Sequence, residues 1–104
     1  MNDLNNRYIL DDKGNAIPEP DLLKWAKWYE VDKNRIVKQE MVGDVRVSTV
    51  FLSIDSLPLD SAGKPVLWET MIFGGEHDDY QERYTSLSAA KAGHKKALKL
   101  VKNA

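Results

Sequence analysis

Two runs of the chain, Val45–Asp55 (VRVSTVFLSID) and Val66–Phe73 (VLWETMIF), hold its densest β-branched and aromatic residues, with Gly43-Asp44 before the first and Gly74-Gly75 after the second. Such runs suit a pleated, half-buried surface, and glycine at the ends supplies backbone angles that other residues resist. They are expected to be neighbouring central strands of an antiparallel sheet. In the second run Val66, Trp68, Thr70 and Ile72 alternate with Leu67, Glu69, Met71 and Phe73. In the first, apolar residues pass from odd positions (Val45, Val47, Phe51) to even ones (Val50, Leu52, Ile54). That switch predicts burial on both faces or a bulge near Thr49–Val50. Arg35–Val42 and Tyr80–Thr85 alternate less cleanly and read as flanking strands. Val42-Gly43-Asp44-Val45 reads as a tight hairpin.

A helical period takes over at two places. Pro18 and Pro20 announce a helix over about Asp21–Val31, with Leu22, Trp25, Ala26 and Tyr29 on one face and Lys24 and Lys27 opposite. Trp28 falls with the lysines and Leu23 at the border. Ser86 caps a second helix, Leu87–Lys102, whose apolar stripe is Leu87, Ala90, His94, Ala97, Leu98 and Val101. Arg7–Leu10 and Ala16-Ile17 read as short strands around the Asp11–Asn15 turn, and Asp32-Lys33-Asn34 as a polar break. Residues 1–6 are expected to be disordered, and Ser56–Pro65, with two prolines, to be a long surface loop. The expected fold is a two-layer α+β domain spanning residues 1–104. It has an antiparallel sheet of three to four strands and two helices, about 21–31 and 87–102, on one face.

Composition narrows the chemistry. The 104 residues contain no Cys, which removes disulfides, thiolate nucleophiles and Cys-ligated metals. With no signal pattern and no apolar run long enough to span a bilayer, a cytoplasmic protein with no membrane partner is expected. Formal net charge is −1, so no global field attracts a polyanion, yet lysines crowd the last helix.

Each candidate site competes with a structural reading. Glu76, His77, Asp78 and Asp79, near Glu69 and Glu82, offer ligands for a divalent cation, but solvated loop charges that keep strand edges apart explain them too. No metal or cofactor site is assigned. His94 lies on an apolar stripe, where a packed histidine bonded to a backbone carbonyl is the ordinary finding. There is no nucleophile elbow, phosphate-cradling glycine loop or dinucleotide fingerprint, so no catalytic residue is assigned and no enzyme is expected. Lys91, Lys95, Lys96, Lys99 and Lys102 either contact phosphates or form a solvated helix face. Trp28 with Leu23 offers an anchor for a protein partner, unless Trp28 packs under the N-terminal arm, Tyr8–Ile17. Trp68, Tyr80 and Tyr84 join the partner reading if one sheet face stays bare.

The blocks VGDVRVSTVFLSID, VLWETMIFGG and ERYTSLSAAKAGHKKAL resemble, over about Pro20 to Val101, a small family of bacteriophage and prophage proteins. The resemblance brings no established activity and no catalytic or ligand residue. It implies a phage accessory protein acting in the host cytoplasm on host machinery or a host defence system. The leading expectation is therefore a non-enzymatic module that binds a host or phage protein and forms homo-oligomers. Nucleotide or nucleic-acid binding on the lysine face is one alternative, and a metal-dependent hydrolase at the acidic loop is another.

Overall fold

The structure, a computed structural model, describes residues 6–55 and 64–103. Most of the Ser56–Pro65 loop and nearly all of the segment expected to be disordered lie outside the described residues. The elements are β1 (Tyr8–Leu10), β2 (Ala16–Pro18), α1 (Leu22–Tyr29), α2 (Asp32–Arg35), β3 (Ile36–Val42), β4 (Val45–Phe51), β5 (Trp68–Phe73), β6 (Gln81–Tyr84) and α3 (Leu87–Lys102). Strands β3-β4-β5-β6 form one antiparallel sheet in chain order, and β1-β2 form a separate hairpin. The fold is α+β.

Local chemistry accounts for the turns and caps. Asp11 accepts from the backbone N–H of Lys13 and of Asn15, closing the β1–β2 turn. Between β3 and β4 Gly43 has φ +60°, the left-handed value that a two-residue hairpin needs at its first central position. Asp21 caps α1 by accepting from the N–H groups of Leu23 and Lys24, and Ser86 caps α3 through Ala89. The expected polar break is instead a single helical turn, α2. Its Arg35 pairs with Asp32 at 2.8 Å and lies 4.2 Å over the Tyr29 ring.

Register fixes the faces. Phe51 pairs with Trp68 and Trp68 with Tyr84; Lys38, Thr49, Thr70 and Glu82 form the next row, and Glu40, Val47 and Ile72 the one after. All of these share one side of the sheet, and α3 lies across it with Ala90, Gly93, His94 and Ala97 buried. The bulge expected in β4 near Thr49–Val50 occurs opposite it. Register slips between Ile36 and Lys38, leaving Val37 as the extra residue on β3. Trp28 meets Phe51 edge-on at 5.7 Å, so α1 joins α3's side of the sheet at the Phe51 end, together with the β1–β2 hairpin.

Two packing expectations need correction. Leu22, assigned to the buried stripe of α1, is 59% exposed, while Trp25 stacks on Tyr29 and donates from Nε1 to the Ser53 carbonyl at 3.2 Å. Helix α1 is too short to dock its whole apolar stripe, and it holds on by its C-terminal aromatics. Secondly, Trp68 and Tyr84 are buried under α3 instead of lying on a bare face. The even positions of β5 and β6 face the helix, so the face left open carries the odd ones.

Candidate functional site

Helix α3 runs over the sheet and leaves a cleft beside β3, one of the two edge strands. From that cleft a polar series unusual for a core leads inward. His94 is 3% exposed and bonded at both ring nitrogens, Nδ1 to Thr49 Oγ1 at 2.7 Å and Nε2 to Glu40 Oε1 at 3.0 Å. Thr49 Oγ1 also meets Thr70 Oγ1 at 2.6 Å. An ionised carboxylate only accepts, so Nε2 carries a proton and donates to Glu40. In the neutral ring Nδ1 then accepts from the Thr49 hydroxyl, and Thr49 accepts from Thr70. The histidine partner expected from sequence, a backbone carbonyl, is replaced by side chains from β3 and β4.

This order of carboxylate, imidazole and hydroxyl has the composition of a nucleophilic triad. Thr49, however, is wholly buried between sheet and helix, and in this packing no substrate reaches its oxygen. The accessible chemistry lies at the other end, where Glu40 and His94 meet a cavity of about 320 Å³ walled by Val37 and Leu98 and edged by Lys38, Lys91 and Lys95. Ligand cavities run from roughly 300 to 1,000 Å³, so the space suits one small group or one unit of a polymer. Lys38 Nζ approaches Glu40 Oε1 at 3.4 Å. Burial works to raise the Glu40 pKa, but the hydrogen bonds from His94 and Lys38 and the positive charge of Lys38 outweigh it and hold it below the ordinary carboxylate value.

The predicted lysine face divides. At about 100° per residue Lys91, Lys95, Lys99 and Lys102 fall within an arc of about 80°, and two of them edge the cavity. Lys96 turns to the other flank, 3.9 Å from Glu82 on β6. Sequence reasoning found the helix lysines but missed Lys38 and Glu40. Their spacing of two put both on one face of β3, but nothing local revealed that this face borders the cleft.

The partner-binding candidates are scattered. Leu23 is 74% exposed on α1; Trp28 is half-buried against Phe51; Trp68 and Tyr84 belong to the core. Tyr80 is half-buried and donates to Glu82 Oε2 at 3.0 Å, and burial foremost, with that bond and the Glu82 charge, pushes its pKa up to about 12. The acidic candidates also part. Glu69 faces the open side of the sheet, bonded to Arg83 and Gln81, whereas Glu82 faces the helix side, and Asp78 accepts from the Gly74 N–H. Among the described residues no three His, Asp or Glu side chains are grouped to hold a metal ion, and no helix is long and apolar enough to cross a membrane.

Comparison of the chain with protein-family models, with curated proteins and with solved structures found no match.

Proposed function

We propose that the protein is a non-enzymatic binding module for single-stranded nucleic acid, held by its phosphates in the cleft between α3 and β3. The observation that carries the reading is the convergence of Lys38 from the sheet with Lys91 and Lys95 from the helix on one cavity. Lys99 and Lys102 prolong the basic edge, so it runs about 16 Å along the helix, long enough for several phosphates. A chain of net charge −1 thus concentrates five cations on one flank, where the local field, not the global one, governs encounter. Val37 and Leu98 give the base an apolar wall. A fluorescence anisotropy titration with a labelled oligonucleotide tests this. Affinity falls with salt at a slope of about −0.7 per neutralised phosphate, so roughly −3 is expected for four to five lysines. Absence of binding at low salt refutes it.

A second reading, a protein partner of host or phage origin or a second copy, is favoured by a different observation. Across the open sheet face Met41, Arg46 and Phe73 stand in register on β3, β4 and β5, with Arg46 4.6 Å over the Phe73 ring and Met41 62% exposed. Arg, Met and aromatic residues are enriched in interface cores. Light scattering together with capture from host lysate separates the readings. Loss of self-association or of a captured protein in Phe73→Asp, with oligonucleotide binding unchanged, assigns this face.

A further inference from the structure

Glu40 is an odd occupant of a basic cleft. A carboxylate beside three lysines weakens phosphate binding there, and a site that only gripped phosphates would be better without it. Its contacts are also one-sided. His94 Nε2 and Lys38 Nζ both approach Oε1, and Oε2 has no hydrogen-bond partner among the described residues. The carboxylate is a third exposed, borders the cavity and is fixed by a histidine that is itself buried and bonded on its far side to Thr49. This is a rigidly held, ionised acceptor with one oxygen left over.

We infer that Glu40 is a base-reading residue: it accepts a hydrogen bond from the exocyclic amine of a nucleobase whose phosphates lie on Lys38, Lys91 and Lys95. The cleft then prefers cytosine, which presents an N4 amine, to thymine, which presents an oxygen at the same position. Facing thymine, Glu40 sets a carboxylate against a carbonyl, and neither donates. His94 acts through Glu40 as a positioning residue. The inference rests on the cleft being a site for single-stranded nucleic acid, and the experiment tells the two failures apart.

Labelled oligo-dC and oligo-dT of roughly ten nucleotides are titrated at low salt with the wild-type protein and with Glu40→Gln, whose amide both donates and accepts. Removing a negative charge strengthens binding of both oligonucleotides, so the readout is the ratio of affinities. The expected result is a wild-type preference for oligo-dC of roughly fivefold that collapses toward unity in Glu40→Gln. An oligomer of N4,N4-dimethylcytidine, which lacks the donor, needs no variant and is expected to bind wild type no better than oligo-dT. Equal wild-type affinities overturn the inference and leave the phosphate cleft standing. A preference that survives in Glu40→Gln, or with the dimethylated base, overturns it as well. No binding of any oligomer at low salt overturns both.

Discussion

Gly93 on α3 is the seat of the Tyr84 ring: a Cβ built at Gly93 would overlap both the phenol hydroxyl and the ring carbon that bears it. Glycine here lets the helix settle onto β6, its partner Tyr84 filling the space a side chain would take. Gly93→Ala forces helix and strand apart, and despite alanine's better helix propensity it is expected to lower stability by about 1–3 kcal/mol. Combining it with Tyr84→Leu, which shortens the side chain, should recover part of that loss. Urea midpoints of the two single variants and the double variant measure the coupling, and additive effects would contradict the contact.

Thr49 stands in the middle of the buried polar series. Thr49→Val keeps the shape but strips a partner from both His94 Nδ1 and Thr70 Oγ1, so a loss of about 1–3 kcal/mol is expected. Thr70→Val, at the end of the series, leaves the Thr49–His94 bond in place and should cost less. Equal losses in urea unfolding would mean that the order of bonds along the series is different.

How much of this was legible in the residues depends on range. The four strands of the main sheet, the Gly43 hairpin and the whole span of α3 followed from alternation, turn residues and the Ser86 cap, which are signals confined to a few positions. Choosing the covered face was a different matter. Trp68 and Ile72 on one side of β5 and Met71 and Phe73 on the other are both apolar, so alternation alone does not tell which side α3 takes. The decision rests on Thr49, Thr70 and His94, polar residues that become good core only once Thr49 is bonded to both of the others. The cleft escaped for the same reason, because Lys38 and Glu40 lie more than fifty residues from the helix lysines they face.

Titration should expose two of these environments at opposite ends of the pH scale. The folded pKa of Tyr80, about 12, lies above its ordinary value of 10.0. Its contribution to stability is therefore complete below pH 10 and is lost as pH rises toward 12. Glu40 is displaced the other way, so its contribution is present above the ordinary carboxylate value of 4.5 and is lost as pH falls through the lower folded value. Stability-versus-pH curves should accordingly flatten at the alkaline end in Tyr80→Phe and at the acid end in Glu40→Gln. Burial raises the Tyr84 pKa as well, so the direct check on Tyr80 is the loss of late tyrosinate absorbance, near pH 12, in Tyr80→Phe.

Ser53 carries the left-handed backbone angle φ +68° and is completely buried, with its hydroxyl unpartnered among the described residues. The strain directs its carbonyl toward two donors at once, the Tyr8 N–H at 2.8 Å and Trp25 Nε1 at 3.2 Å, which tie the hairpin and α1 to the end of β4. Left-handed geometry costs a non-glycine residue roughly 1–2 kcal/mol, and glycine gives back about half of that in backbone entropy. Ser53→Gly should thus be neutral to stabilising by about 0.5 kcal/mol, whereas β-branched Ser53→Val should lose about 2 kcal/mol or more. The urea midpoints of the pair decide it, and destabilisation by Ser53→Gly would show that the hydroxyl has a partner.

Lys95 and Lys96 are neighbours in sequence but serve different flanks, and that difference discriminates a cleft from a merely basic helix. Lys95 edges the cavity, while Lys96 leans toward Glu82. If phosphates sit between α3 and β3, Lys91→Ala with Lys95→Ala should weaken oligonucleotide binding and reduce the salt slope by about 1.4, two phosphates' worth. Lys96→Ala removes as much charge from the same helix as Lys95→Ala alone and should leave the slope nearly unchanged. Neither change touches a buried group, so melting temperatures should stay within a few degrees of wild type, and any loss of affinity then belongs to the interface. Equal effects of Lys95→Ala and Lys96→Ala would mean that the helix attracts polyanions diffusely and that the cleft has no special part in holding them.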